Sequence, residues 1–315
     1  MTRTRSLVRS LAGSLPDTLR FGRVPTARDY PSPIATGAAG NAVIAETLRA
    51  GKPCLVTRLG LSEVSCVSHY RRWRRPALLN AAYPPYVREL IHVNAGVFPD
   101  DDGTLDRFSA QFLKAAEAAD VMAVWLNRGE DAVVRERCPH ARLVDLPSLD
   151  SMCFEQPWSA ELAGRRVLVV HPFAETISSQ YRDHRRELFD DPLVLPEFEL
   201  KTLMPPQSIA GARCGFSDWF AALEDTCERI AKHDFDIAII GAGAYGLPIG
   251  AFVKGLGKQA VHMGGATQLL FGIIGRRWEV EYADTIVPLV NEHWTRPSPA
   301  ETPTGADSVE SGCYW

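Results

Sequence analysis

The sequence predicts an α/β protein in which helices flank a parallel β-sheet. Short apolar runs alternate with longer amphipathic runs along the chain, which is the pattern of repeated β-α-β units. Several of the short runs are apolar and β-branched throughout, as expected for strands that are covered on both faces. The chain has 315 residues, of which 46% are hydrophobic, so it is long enough to bury such a sheet.

Seven short segments are predicted as strands of this Rossmann-like sheet. They are Cys54–Thr57, Val121–Leu126, Arg142–Leu146, Val167–His171, Glu199–Leu203, Ile237–Gly241 and Gln259–Met263. The clearest helix runs from Phe216 to Ile230, where apolar residues recur every three or four positions and form one face. Ser217 is expected to cap the N-terminus of this helix.

Composition divides the chain into three parts. Residues 1–40 begin rich in Arg and Ser and poor in acids, so we expect a loose basic arm there. Residues 41–295 hold the predicted α/β domain. Residues 296–315 are rich in Pro, Ser, Thr, Gly and acids, which predicts an extended surface arm. Its end, Cys313-Tyr314-Trp315, is too apolar for a free tail, so it is expected to dock onto the domain.

Charge and cysteine content limit the partners and the compartment. The net charge is −4, so no overall field draws the chain to nucleic acid, and we expect no such partner. The run Arg71-Arg72-Trp73-Arg74-Arg75 is a local exception, either a solvated helix end or a contact with the inner face of a membrane. The seven cysteines form no C-x-x-C pair, which favours reduced thiols and a cytoplasmic location.

One stretch matches the dinucleotide-binding fingerprint G-x-G-x-x-G. It is DIAIIGAGAYGLPIG, residues 236–250, with its glycines at Gly241, Gly243 and Gly246. In dinucleotide-binding domains the fingerprint lies in the first β-α-β unit, and an acid about 20 residues further on binds the ribose. Here the match comes near the end of the predicted domain, and the next strand, Gln259–Met263, is followed by no acid. Pro248 also falls early in the following helix, so we predict that neither NAD nor FAD is a cofactor.

Four loops are expected to meet at one edge of the sheet. They begin at Arg58, His171, Gly241 and Gly264, and each follows a predicted strand. In open parallel sheets ligands bind beyond the carboxyl ends of the strands. Glycines let backbone N–H groups approach a ligand, and helix N-termini favour an anion such as a diphosphate. Any one loop could be only a tight turn, but four together predict a pocket.

Several stretches resemble bacterial glycosyltransferase-like proteins of the GT-D fold that are associated with surface polysaccharide. They are RLGLSE at residues 58–63, HPFAETISSQY, DFDIAIIGAGAYGLPIGAFVKGLGKQAVHMGGATQLLFGIIGRRW and the closing VESGCYW. The first stretch is similar to the Arg-Phe-Gly-Asp-Gly-Glu element of that fold. The resemblance extends from about Asn41 to Trp315 and is densest from His171 to Trp278.

The resemblance implies transfer of a sugar from a nucleotide sugar to a saccharide or lipid-linked acceptor. In the family an Asp-x-Glu element is tied to a divalent metal and the donor diphosphate. Here Leu61 replaces the Asp and cannot ligate a hard cation, so Glu63 is the one matching ligand and a need for Mn²⁺ or Mg²⁺ stays open. The expected donor-binding residues are Arg58, Gly60, His171, Gly243, Tyr245, Gly246, His262, Gly264, Gly265, Gln268 and Arg277.

Glu63 and Glu175 are the expected pair of catalytic acids, with Glu175 as the general base that takes the acceptor proton. Each could instead be a first-turn acid that complements a helix dipole. Two other functional classes stay open. The replacement at Leu61 favours a non-catalytic module that binds nucleotide sugars or glycans, whereas an oxidoreductase rests on the glycine fingerprint alone.

Overall fold

Eight parallel strands form one sheet in the computed structural model, which describes residues 23–74, 81–212 and 214–315. Along the sheet their order is β1-β4-β3-β2-β8-β7-β5-β6, and every neighbouring pair is parallel. The strands are β1 (Ile34–Ala35), β2 (Cys54–Arg58), β3 (Val121–Val124), β4 (Arg142–Asp145), β5 (Arg166–Val170), β6 (Glu199–Leu203), β7 (Ile237–Ile240) and β8 (Gln259–His262). The predicted parallel α/β class is therefore confirmed.

All seven predicted strands are present, and their ends agree with the prediction to within two residues. The largest error is in β3, which was expected to reach Leu126 but ends at Val124 because the chain turns there into a loop. The eighth strand, Ile34–Ala35, was not predicted. It has two residues, and hydrophobic alternation cannot be recognised over so short a segment.

Helices cover both faces of the sheet. They are α1 (Gly37–Arg49), α2 (Leu61–His69), α3 (Pro85–Glu89), α4 (Asp102–Ala116), α5 (Glu130–Arg137), α6 (Ala174–His184), α7 (Trp219–Ala231), α8 (Gly246–Gly255), α9 (Arg276–Val280) and α10 (Ala283–Ile286). The π-helical turns Tyr70–Arg74 and Leu90–Asn94 directly extend α2 and α3. A 3₁₀-helix, Gly264–Phe271, follows β8.

Alternate residues of the strands pack into two different cores. In β7, Ala238 and Ile240 pack into the core that includes Phe108 of α4, whereas Ile237 and Ile239 pack into the core that includes Ile44 of α1. Successive strand side chains point to opposite faces, so a fully apolar strand supplies both cores. Each such Ile or Leu contributes about 1.5–3 kcal/mol by its burial.

The helix predicted from Phe216 begins three residues later, at Trp219. Its N-cap is Asp218, whose carboxylate accepts the N–H of Ala221 at 2.8 Å, so the assignment of Ser217 as the cap was wrong. Asp and Ser are comparable N-caps, and sequence alone could not choose between neighbours. The N–H of Trp219 donates to the Phe98 carbonyl at 2.8 Å, which fixes the start of the helix.

The fold begins before the predicted boundary at residue 41. Ile34 and Ala35 pair with Leu143 and Val144 of β4, and α1 starts at Gly37. Residues 1–22 of the predicted basic arm lie outside the described residues.

The C-terminal segment, residues 296–315, contains two 3₁₀ turns and ends against the domain. The N–H of Arg276 donates to the Trp315 carbonyl at 3.2 Å, and the N–H of Arg277 donates to the Cys313 carbonyl at 3.0 Å. These bonds hold the chain end beside the start of α9.

Two features bear on the expected membrane contact. Arg71 pairs with Glu136, and Arg74 pairs with Asp102 and Asp106, so these two arginines are engaged within the protein. Arg75 lies outside the described residues, and membrane contact stays a prediction. In the part of the chain that the structure describes, no helix combines the length and the apolar character needed to cross a bilayer.

Candidate functional site

The candidate site lies at the carboxyl edge of the sheet, where β2 and β8 are neighbours. These two central strands join β1–β4 on one side to β5–β8 on the other, and ligands of open parallel sheets bind where the strand order reverses. One cavity at this edge is lined by Arg58, His171, Gly241 and Gly264. The structure therefore brings together the four loops that the sequence analysis singled out.

Glycines allow these loops to approach each other. A Cβ atom on Gly264 would lie 2.6 Å from the Arg58 guanidinium, and one on Gly241 would lie 2.6 Å from the Gly264 carbonyl oxygen. Gly264 also has a φ of +69°, which favours glycine. A side chain at either position would displace the loop that follows β8 or the side chain of Arg58.

Arg58 is the cation of the site. Its guanidinium carbon lies 5.6 Å from the centre of the Trp125 ring, and its Nε is buried with no hydrogen-bond partner. A buried guanidinium N–H without a partner is costly. Arg58 lines the cavity, so its guanidinium can offer positive charge to a phosphate group there.

The charge of Arg58 acts on the pKa values of two carboxyl groups. Glu63, in the first turn of α2, is only 7% exposed, and burial raises its pKa while Arg58 acts in the opposite direction. Burial raises the pKa of Asp150 to about 7, again against Arg58. Glu63 folds back over Gly60, where any Cβ atom would collide with its carboxylate. Asp150 follows β4, and the sequence analysis did not identify it.

Trp125 is held beside Arg58 by a buried acid. The Glu130 carboxylate accepts the N–H of Trp125 at 3.0 Å, the N–H of Asn127 at 3.2 Å and the hydroxyl of Tyr30 at 2.7 Å. Between Trp125 and Asn127, Leu126 adopts a positive φ of 59°. These bonds turn the chain sharply after β3 and leave Trp125 39% exposed.

The two histidines are neutral near pH 7. Burial lowers the pKa of His171 to about 3, and its Nδ1 accepts the N–H of Phe173 at 3.0 Å. Burial and, less strongly, Arg58 lower the pKa of His262 to about 3. His262 contacts the Thr57 hydroxyl at 2.9 Å through Nδ1 and packs against Gly246. His262 and Gly246 therefore lie behind the cavity wall, whereas His171 lines the cavity.

The opposite wall is formed by the glycine-fingerprint loop and the chain end. Gly243 and Tyr245 line the cavity, and Tyr245 stacks on Trp219 with ring centres 5.1 Å apart. Its hydroxyl bonds to Ser208 at 2.9 Å, so this Tyr fills the loop from behind. The N–H of Ala244 donates to the Ala95 carbonyl at 3.1 Å. This loop N–H is therefore already used within the protein.

Gly265 and Gln268 complete the wall together with the C-terminal residues. Gln268 donates from Nε2 to the Tyr314 carbonyl at 3.2 Å, while its buried Oε1 has no partner. Tyr314 and Trp315 line the cavity themselves. Arg277 does not line it but lies over the Tyr314 ring at 5.1 Å and pairs with Glu310. Arg277 therefore fastens the chain end instead of facing the cavity.

Glu175 is not where the predicted catalytic pair required it. Its side chain is exposed and does not line the cavity. The N-terminus of α6 is instead occupied by Glu301, whose carboxylate accepts the N–H of Glu175 at 2.7 Å and the N–H of Thr176 at 3.2 Å. An intramolecular carboxylate thus takes the position at this helix end where a diphosphate was expected.

The residues around Glu63 do not fit a metal held by protein side chains. Hard divalent cations take oxygen ligands, and the Leu61 side chain offers none. Across residues 23–74, 81–212 and 214–315, Glu63 belongs to no group of three His, Cys, Asp or Glu side chains close enough to share an ion. The cation beside Glu63 is Arg58.

Two residues that the sequence analysis missed, Ser208 and Asp150, could have been found from the rule that ligands bind beyond the carboxyl ends of parallel strands. Ser208 follows β6, and Asp150 follows β4, so both lie near the carboxyl ends of predicted strands. Trp125 was not identified as a site residue because the predicted strand continued to Leu126 and so included it.

No protein-family model and no curated protein matches the chain. Among solved structures the chain is similar to one described as the selenomethionine-substituted structure of domain of unknown function 1792. The two are 10% identical with a TM-score of 0.43, over 94% of this chain and 95% of that chain. A likeness this distant is not a basis for assigning a function.

Proposed function

We propose that this protein is a glycosyltransferase that moves a sugar from a nucleotide-sugar donor to a saccharide or lipid-linked glycan acceptor in surface polysaccharide synthesis. The observation that carries the proposal is the position of Arg58. Its partnerless Nε and the glycine loops of Gly241 and Gly264 meet at the junction of β2 and β8. The sequence resemblance to GT-D proteins supports the same class of reaction.

In the proposed mechanism Arg58 binds the donor diphosphate. Negative charge grows on the diphosphate as it leaves the sugar, and a fixed guanidinium stabilises that charge more in the transition state than in the ground state. Trp125, stacked beside Arg58 and partly exposed, offers a flat apolar face for a sugar ring or a base. Both residues are held in place before the ligand arrives.

We assign the general base to Asp150 in place of Glu175 because Asp150 lies near enough to Arg58 for that charge to act on its pKa, although, like Glu175, it does not line the cavity. Burial raises the pKa of Asp150 to about 7, and a base is most effective when its pKa lies near the working pH. It would take the proton of the acceptor hydroxyl as that oxygen attacks the anomeric carbon. Glu63, at the start of α2, is too buried for this step, and we assign it to positioning Arg58, whose charge acts on its carboxyl group.

A ligand panel tests the proposed donor class. Nucleoside diphosphates, their sugars and NAD are added to the protein, with and without Mn²⁺, and melting temperatures are compared. A ligand that binds only the folded state raises the melting temperature. We expect a rise with a nucleoside diphosphate or its sugar that is lost in Arg58→Gln and kept in the control Arg49→Gln, which removes a largely exposed surface arginine. A rise with NAD alone would contradict the proposal.

The non-catalytic alternative is separated from the enzyme by turnover. A nucleotide sugar that stabilises the protein is incubated with it, and released nucleoside diphosphate is measured with candidate acceptors and with water. Release that depends on Asp150 supports a transferase. Tight binding with no release, over acceptors that cover saccharides and lipid-linked glycans, favours the binding module that the replacement at Leu61 leaves open.

A further inference from the structure

A second cluster of chemically active side chains lies far along α6 from the candidate site. His184 ends α6, Glu187 follows one turn later, and His293 comes from the segment that leads to the C-terminus. One ligand atom from each of the three lies within 4.8 Å of the other two. In the part of the chain that the structure describes, these three residues form the one such group of potential metal ligands.

The distances are close to those that a zinc ion needs. His184 Nδ1 lies 3.2 Å from Glu187 Oε2, and His293 Nδ1 lies 3.7 Å from the same oxygen. Tetrahedral zinc with bonds of about 2.0–2.1 Å holds its ligand atoms about 3.3 Å apart. Small rotations of half-exposed side chains would therefore close the site around an ion.

The backbone beneath the cluster is already fixed. Asn291 donates to the Glu187 carbonyl at 2.9 Å and accepts the N–H of His293 at 3.0 Å. Gln180 of α6 donates to the His293 carbonyl at 2.9 Å, and the Trp294 indole donates to the Leu188 carbonyl at 3.1 Å. Two separate chain segments are thus locked together before any ion binds, which is the arrangement that a metal site requires.

We propose that His184, Glu187 and His293 form a binding site for a divalent transition metal of the zinc class. Two imidazoles and one carboxylate suit Zn²⁺ and its neighbours, whereas Mg²⁺ and Ca²⁺ prefer oxygen ligands alone. The ion would clamp the segment around His293 to the end of α6. The site is independent of the proposed transferase activity, since none of its three ligands lines the cavity of Arg58.

Calorimetric titration of the full chain with Zn²⁺ and with Mg²⁺ tests the site, using protein purified without a histidine tag. We expect one Zn²⁺ per chain and no comparable Mg²⁺ binding. His184→Ala and His293→Ala should each weaken Zn²⁺ binding at least tenfold. His140→Ala, which removes an exposed histidine elsewhere on the surface, should leave the affinity unchanged. Zn²⁺ binding that survives in the double variant His184→Ala/His293→Ala would overturn the proposal.

Two further readouts distinguish this site from adventitious binding. Co²⁺ bound by histidine and carboxylate shows weak visible bands, whereas thiolate ligands add strong near-ultraviolet charge transfer, which would place the ion on one of the seven cysteines instead. Zn²⁺ should also slow amide hydrogen exchange around His293 in the wild-type chain and not in the double variant. Equal slowing in both would contradict a clamp at this position.

Discussion

The two halves of the sheet supply different chemistry to the same edge. The half formed by β1–β4 contributes charged groups, namely Arg58, Glu63 and Asp150, together with the exposed Trp125. The half formed by β5–β8 contributes glycine backbone and a neutral histidine at the cavity, with a second neutral histidine behind its wall. The charge that would bind and activate a substrate therefore comes from one half, and the close-fitting surface comes from the other.

Burial explains why the halves differ in their response to protons. Desolvation disfavours the charged form of any group, so it raises the pKa of buried acids and lowers that of buried histidines. Glu130 and Asp150 in the first half have pKa values raised to about 7, whereas His171 and His262 in the second have values lowered to about 3. One physical cause thus gives opposite pH behaviour on the two sides of Arg58.

The largest expected effects come from removing charged groups of the first half, of which Arg58 is taken first and Asp150 is compared with Glu175 below. Arg58→Gln should lower transfer activity by about 10²–10³-fold, the usual loss when one stabilising donor is removed from a transition state. It should also raise the pKa of Asp150 further above about 7, because Arg58 is the group that opposes burial there. Activity against pH measures both effects. Unchanged activity in Arg58→Gln would mean that Arg58 takes no part in the mechanism.

A second prediction concerns a glycine in the half formed by β5–β8. Gly264→Ala should push the Arg58 guanidinium away, since the new Cβ would lie 2.6 Å from it, and should weaken nucleotide binding at least tenfold. The positive φ adds a loss of about 1–2 kcal/mol in the free energy of unfolding.

Gly257→Ala is the matched control for that change. Gly257 has a φ of +79° but no neighbouring atom within 4 Å, so it carries the same backbone strain and no collision. Urea unfolding should show destabilisation of both variants, with the larger loss in Gly264→Ala because the collision adds to the shared backbone strain. Ligand titration should show weakened binding for Gly264→Ala alone. Similar binding in both would mean that Gly264 serves the turn and not Arg58.

The contrast between these glycines also shows what the sequence could predict. The seven strands of four or five residues follow from apolar runs in the sequence. Because the strands are parallel, the loops that follow them place Arg58, His171, Gly241 and Gly264 at one edge of the sheet. The sequence does not show which glycine touches a functional side chain, because Gly257 and Gly264 both have a positive φ and are told apart by what lies opposite them across the fold. That information is tertiary.

Glu175 and Glu301 show the same limit for charged residues. Both are acids, and only Glu175 follows a predicted strand, so pattern reasoning favoured it. The chain end then brings Glu301 from 126 residues away to bond the N–H of Glu175. Long-range docking of this kind leaves no periodic signal, whereas the apolar Cys313-Tyr314-Trp315 did indicate that the end would pack.

A third prediction concerns pH and stability. The folded pKa of Glu130, about 7, lies above its ordinary value of about 4.3, so the folded state keeps a proton that the unfolded chain has released. Its contribution to stability is complete below about pH 4.3 and is lost as the pH rises through about 7. Glu130→Gln should remove this dependence, which is on the order of 1–3 kcal/mol between pH 5 and pH 8.

The histidines give the opposite sign and serve as an internal check. Their folded pKa of about 3 lies below the ordinary value of about 6.5, so their contribution is present above about pH 6.5 and lost as the pH falls through about 3. Glu130→Gln should leave this loss of stability at acid pH unchanged. Unfolding by urea at pH 4, 5 and 8 measures both pH dependences, and an unchanged difference between pH 5 and pH 8 would contradict the assignment to Glu130.

The smallest effect is expected at Glu175. Its side chain is exposed, and the helix end beside it is already occupied by the Glu301 carboxylate. Glu175→Gln should therefore change transfer activity by less than about twofold, and removing one first-turn acid should cost at most about 0.3–1 kcal/mol of stability. Asp150→Asn, measured in parallel, should lose about 10²–10⁴-fold, as expected when a general base is removed. If instead Glu175→Gln loses activity and Asp150→Asn keeps it, the catalytic acid belongs to the β5–β8 half. The division of charge and surface between the two halves would then be wrong.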